Sequence, residues 1–127
     1  MAVKRINVDG LAKLPAFSHA VAAGDYLFIS GTLGSVGQTM QLIEGGLAEQ
    51  TTQTLSNIEA ILASCELTLA DLVKVQVYLT DMSAFAQMNA AYLAVFGVDV
   101  PARITVGCTA LALDALVEID CIAYLGS

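Results

Sequence analysis

Between Val73 and Thr80 the side chains alternate strictly: Val73, Val75, Val77 and Leu79 are apolar, while Lys74, Gln76, Tyr78 and Thr80 carry polar groups. A period of two sustained over eight residues belongs to a strand with one face on a core and the other on something more polar. Segments of helical period lie on both sides of it. From Leu47 to Cys65, the residues Leu47, Leu55, Ile58, Ile61, Leu62 and Cys65 share one face, and Glu49, Gln53, Ser56 and Glu59 the other. After Asp81 or Ser83, either of which can cap a helix, Phe85, Met88, Tyr92, Val95 and Phe96 form a second apolar stripe that ends at Gly97.

Further strands flank this centre. Val3 to Val8 alternates and ends in the turn Asp9-Gly10; Phe17 to Val21 reads as a second strand, and Tyr26 to Gly31, aromatic and β-branched, as a third. Gly31, Gly34, Gly37, Gly45 and Gly46 make the segment from Gly31 to Gly46 a loop. It lacks the lysine and the immediate strand-to-helix step of a phosphate cradle, so it reads as a connection or pocket rim. Two strands follow Pro101, one through Arg103 to Gly107 and one from Leu116 to Leu125. The order β-β-β-α-β-α-β-β lacks the alternation of a doubly wound fold. It predicts an α+β sandwich, a six-stranded mixed sheet with two helices packed on one face, in a single domain spanning residues 1–127.

Such a domain does not account for all the apolar residues. They make up 57% of the chain against a typical ~45–50%, and charged residues only 13% against ~25%. The least charged window, Ser83 to Val98, holds Gln87 and Asn89 in a helical period and reads as a core helix, not a membrane span. The surplus therefore points to burial between subunits. The net charge is −7, and the five basic residues, Lys4, Arg5, Lys13, Lys74 and Arg103, are scattered, which argues against nucleic acid as a partner. Three irregularly spaced cysteines without a signal peptide predict reduced thiols in a cytosol, and one histidine without a Cys-x-x-Cys motif predicts no zinc site.

One charge stands out. Arg103 sits in Val100-Pro101-Ala102-Arg103-Ile104-Thr105-Val106, otherwise a buried-strand sequence. A guanidinium in apolar surroundings needs an anion, because desolvating it unpaired costs several kcal/mol or more. Arg103, Thr105 and Gly107 share one face of their strand, and Glu118 and Asp120 share one face of the last. The anion is therefore either a small carboxylate ligand or Glu118 or Asp120 itself, in a paired cluster across neighbouring strands or subunits. Asn89, on the apolar stripe of the second helix, is a core amide or a polar group presented to a site. His19 reads as a hydrogen-bonding strand residue before it reads as a catalyst, and the cysteines as inert core residues.

Five blocks occur in order: Phe17-Ser18-His19-Ala20-Val21, Ile29-Ser30-Gly31, Met88-Asn89-Ala90-Ala91-Tyr92, Pro101-Ala102-Arg103 and Val117-Glu118-Ile119-Asp120-Cys121-Ile122-Ala123. Their order and spacing resemble the RidA family, also called the YjgF/YER057c/UK114 family, over almost the whole chain. The resemblance implies a chorismate-mutase-like fold and a homotrimer with clefts between subunits. It also implies hydrolysis of reactive enamines and imines, 2-imino acids going to 2-oxo acids and ammonia, with no metal or organic cofactor. By the same resemblance Arg103 holds the substrate carboxylate, Gly31 offers a backbone N–H, and Asp120 with the Thr105 carbonyl orients water; Phe17, Ser30 and Asn89 complete the substrate-binding set. Phe17 stands where active members usually have tyrosine, Thr105 where cysteine is common, Asp120 where glutamate is expected, and His19 where glutamine is frequent. Alternative functions are a non-catalytic binder of small carboxylates and, against the charge balance, a ribonuclease or translation inhibitor.

Overall fold

The computed structural model describes residues 3–126. Six strands, β1 (Lys4–Ile6), β2 (Ala20–Ala23), β3 (Tyr26–Thr32), β4 (Leu72–Leu79), β5 (Ala102–Gly107) and β6 (Val117–Tyr124), and two helices, α1 (Leu47–Ser64) and α2 (Phe85–Phe96), follow the predicted order. The strands form one mixed sheet in the order β1-β2-β3-β6-β4-β5. All neighbours are antiparallel except β4 and β5, which run parallel because α2 carries the chain back between them.

Alternation decides which face is buried. Val75, Val77 and Leu79 of β4 meet Val117, Ile119 and Cys121 of β6 and Leu27 and Ile29 of β3, each at most 3% exposed. Leu55, Ile58, Ile61 and Leu62 of α1 and Met88 and Tyr92 of α2 join them in the same core. The α2 stripe ends as predicted: Gly97 takes a left-handed φ of 74°, and its N–H donates to the Leu93 carbonyl at 2.8 Å. Asp81 caps the short turn Met82–Ala84 that leads into α2, its carboxylate accepting from the Ser83 N–H at 3.0 Å.

Three readings need correction. Val73 is 43% exposed, because the β4–β6 register shifts between Leu72 and Lys74; the extra residue reverses the parity and gives the core position to Leu72. Phe17 and Ser18 precede β2, which starts at Ala20. Cys65 caps α1 from a half-buried position, while the helix's buried face includes Gln50, Thr51, Thr54 and Asn57. The Thr51 and Thr54 hydroxyls donate to the carbonyls one turn earlier, Leu47 at 2.8 Å and Gln50 at 2.7 Å, so these residues enter the core satisfied. Asn57 donates to the carbonyls of Leu33 at 2.9 Å and Ser35 at 3.0 Å, which pins the glycine-rich loop to α1. Among the described residues no helix is long and apolar enough to cross a membrane.

Candidate active site

The site begins at a bulge. Ile29 pairs with Cys121 and Thr32 with Ile119, so Ser30 and Gly31 together stand opposite Asp120. Ser30 is fixed to the chain entering β2: its N–H donates to the His19 carbonyl at 3.0 Å and its hydroxyl to the Ser18 carbonyl at 2.5 Å. At Gly31 the Glu118 carboxylate packs so close that a Cβ there would displace it. Phe17, Ser30, Gly31 and Glu118 border a cleft of about 450 Å³ whose other walls are mainly apolar, Leu33, Met40 and Leu113 among them.

His19 lies in the same wall as a clasp. Its Nδ1 accepts from the Val8 N–H at 2.9 Å and its Nε2 lies 2.8 Å from the Ala12 carbonyl. That pair of partners assigns the neutral tautomer with the proton on Nε2, and both nitrogens are occupied. His19 thus holds the segment before β2 in place, in line with its reading as a hydrogen-bonding residue.

Asp120 occupies the open face of the sheet. One carboxylate oxygen accepts from Gln76 Nε2 at 2.7 Å and the other from the Tyr78 hydroxyl at 3.2 Å, so β4 fixes its orientation. It borders a smaller recess of about 260 Å³ with Ser30, Gly31 and Gln76. Burial, and then the charge of Asp120, raises the pKa of Glu118 above the ordinary carboxylate value. Of the two acids it is Glu118 that borders the larger cleft, while Asp120 borders the smaller recess. Gln76 and Tyr78 are functional neighbours the sequence reading missed; their position on the polar face of β4 was the available signal.

The predicted paired cluster does not form within one chain. Arg103 pairs in register with Val75 and Thr105 with Val77, which puts both on the helix side of the sheet; Gln76, which faces the other way, is level with Asp120. β4 also stands between β5 and β6. Arg103 instead lies over Tyr92, 4.7 Å from the ring centroid, and near Phe85 at 5.6 Å. The Tyr92 hydroxyl and Thr105 Oγ1 are buried beside it without a hydrogen-bond partner. Burial pushes the Tyr92 phenol up to about 12, against the opposing pull of the Arg103 charge. Asn89 is half-buried on α2, three residues before Tyr92.

The predicted site residues thus fall into two groups. Phe17, Ser30, Gly31 and Asp120 gather at the β3–β6 bulge, whereas Arg103 and Thr105 lie on the helix side of β5, with Arg103 against Phe85 and Tyr92 of α2, the helix that also carries Asn89. Among the described residues no three His, Cys, Asp or Glu side chains are grouped to hold a metal ion.

A family model for endoribonuclease L-PSP matches residues 9–125. The chain is 44% identical over 108 residues to a RutC family protein of Pyrococcus horikoshii, covering 85% of this chain and 86% of that one. It is 35% identical over 114 residues to the chloroplastic Reactive Intermediate Deaminase A of Arabidopsis thaliana, covering 90% of this chain and 61% of that one. The crystal structure of RidA from an Antarctic Psychrobacter superimposes with a TM-score of 0.86 at 38% identity, covering 94% of this chain and 97% of that one. A sheet, a pair of helices and a sequence that all match in this way have one reading: the chain belongs to the endoribonuclease L-PSP family, the YjgF/RidA family.

Proposed function

We propose that the chain hydrolyses reactive 2-imino acids and their enamine tautomers to 2-oxo acids and ammonia, in clefts formed where three copies meet. The observation that carries this reading is Arg103: a half-buried guanidinium, stacked on two rings, with both acids of β6 on the opposite face of its own sheet. A fork of donors in that setting needs a planar anion brought from outside. The two groups of site residues are different surfaces of one chain, so joining them requires one copy's Arg103 to approach the next copy's bulge. A contact of that kind, head to tail, closes into a ring. The exposed apolar residues of the open sheet face, Phe28, Ile104 and Val106 among them, supply an interface for it.

In such a cleft Arg103 and the Gly31 N–H hold the carboxylate of the substrate. Water oriented by Asp120 and the Thr105 carbonyl adds to the C=N carbon, a proton passes to nitrogen, the C–N bond breaks, and ammonia leaves a 2-oxo acid. Glu118, kept toward its neutral form, is a carboxyl in the same cleft that can supply that proton. The similarity to Reactive Intermediate Deaminase A supports the reaction class.

The test is to generate 2-aminoacrylate or 2-iminobutyrate in situ and follow imine loss. We expect acceleration over buffer and a fall of about a hundredfold in kcat/KM for Arg103→Ala. No acceleration, or a variant as fast as the parent, overturns the proposal. A second reading, a carboxylate binder without turnover, is favoured by the engagement of both Asp120 oxygens and by the missing hydroxyl at Phe17. Saturable calorimetric binding of pyruvate, 2-oxobutyrate or benzoate by a protein that turns over no imine selects it. The net charge of −7 and scattered cations disfavour RNA as substrate, despite the family's name.

A further inference from the structure

The cleft beside Glu118 is lined mainly by apolar groups, and we infer that these form a pocket for the substrate's side chain. The substrates are then 2-imino acids with apolar side chains of about four carbons or more, not the smallest members of the class. This rests on the imine-hydrolysis reading above and specifies its substrate.

The lining carries the argument. Ser30, Gly31 and Glu118 present polar groups to the cleft, while Leu33, Met40 and Leu113 are among its apolar walls. Three polar residues among the rest of the lining are already spent, Thr32 by donating its hydroxyl to the Ser30 carbonyl at 2.8 Å. Both ring nitrogens of His19 are taken by Val8 and Ala12, and Asn57 uses its amide N on Leu33 and Ser35 and its amide O on Gln53. What faces the cavity there is therefore mainly hydrocarbon, the Ser35 hydroxyl being the exception. Its volume of about 450 Å³ is within the range of small-molecule sites, ~300–1,000 Å³, and a side chain of one or two carbons would leave most of it to water.

Leu113 adds an independent observation. Its φ is 59° and that of Asp114 is 57°, a left-handed pair that bulky side chains adopt only under constraint. The constraint is visible on the C-terminal side: the Ala115 N–H donates to the Ala112 carbonyl at 3.0 Å, Ala115 is 1% exposed, and the Leu116 N–H donates to buried Gln50 at 2.9 Å. The result of this strained turn is a leucine 44% exposed at the mouth of the cleft, with Met40, 40% exposed, on the glycine-rich loop that also borders it. Each residue thus keeps two-fifths or more of its surface open to water in the free chain. An apolar group entering the cleft would cover that surface on both.

Each methylene moved from water into such a lining is worth about fourfold. The experiment measures kcat/KM for the imines of alanine, 2-aminobutyrate, methionine and leucine, generated in situ by an amino acid oxidase, with the parent chain, Leu113→Gly and Met40→Ser. Glycine accepts the left-handed φ without strain, so Leu113→Gly keeps the turn. We expect the leucine imine to exceed the alanine imine by roughly fiftyfold in the parent. That ratio should fall about tenfold in Leu113→Gly and in the same direction in Met40→Ser. A parent ratio near or below one, or a ratio that neither substitution moves, overturns the inference. Should no imine be turned over, the reaction proposal fails separately, and the pocket is tested by calorimetry with pyruvate, 2-oxobutyrate and 4-methyl-2-oxopentanoate. A Kd that falls with chain length supports the pocket; one that stays level or rises overturns it.

Discussion

Glu118 is half-buried against Gly31, with Asp120 two residues away on the same face, and both conditions disfavour its charge. A carboxyl raised in the fold stabilises it in the neutral form. That contribution is complete below the ordinary glutamate value of 4.5 and is lost as pH climbs through the raised value. Glu118→Gln removes the loss, so it should melt a few degrees above the parent at about pH 7 and level with it at about pH 4. Equal melting at both pH values would contradict the buried-acid account. What the residues alone disclosed at this scale was need, not direction. Arg103 was legible as a charge requiring an anion, but its face was not, because parity passes from β5 to β6 only through the register of β4 between them. Only the family resemblance set Asp120 beside Gly31, and Glu118's place in the cleft depends on the bulge that puts Ser30 and Gly31 opposite one residue.

Among the elements, α1 does more than cover the sheet. Asn57 bonds two carbonyls of the glycine-rich loop, and Gln50 bonds the Leu116 N–H at the start of β6, so one helix face sets the positions of two cleft walls. Asn57→Ala leaves those loop carbonyls without their donor and should cost about 2–3 kcal/mol in urea unfolding. Amide exchange should quicken over residues 33–43 in particular; a uniform change across the sheet would count against the pin. The apolar stripe of α1 could be read from its period. Its buried polar residues could not, since Thr51 and Thr54 become core residues only by returning their hydroxyls to the helix backbone. The same limit explains Val73, where one inserted residue defeats an otherwise clean alternation.

At the level of the molecule, the surplus of apolar residues read from composition is distributed unequally over the two sheet faces. One is covered by α1 and α2; the other leaves Tyr26, Phe28, Ile104, Val106 and Tyr124 between 36% and 49% exposed. In the proposed ring this open face lies between copies. Phe28→Lys should then sediment as a monomer while keeping the parent's far-ultraviolet circular dichroism, and imine turnover should fall with the assembly; a parent that sediments as a monomer would remove the ring. The fold class followed from element order; clefts between copies were expected from the apolar surplus and the family resemblance, and the separation of the site's two halves is the structural support for the proposed ring. The turn at Leu113 bears on how such a chain changes over generations. Selection for heat resistance alone would favour glycine at that turn and relax the backbone, so in the proposed pocket Leu113 is a position where durability yields to the choice of what is bound.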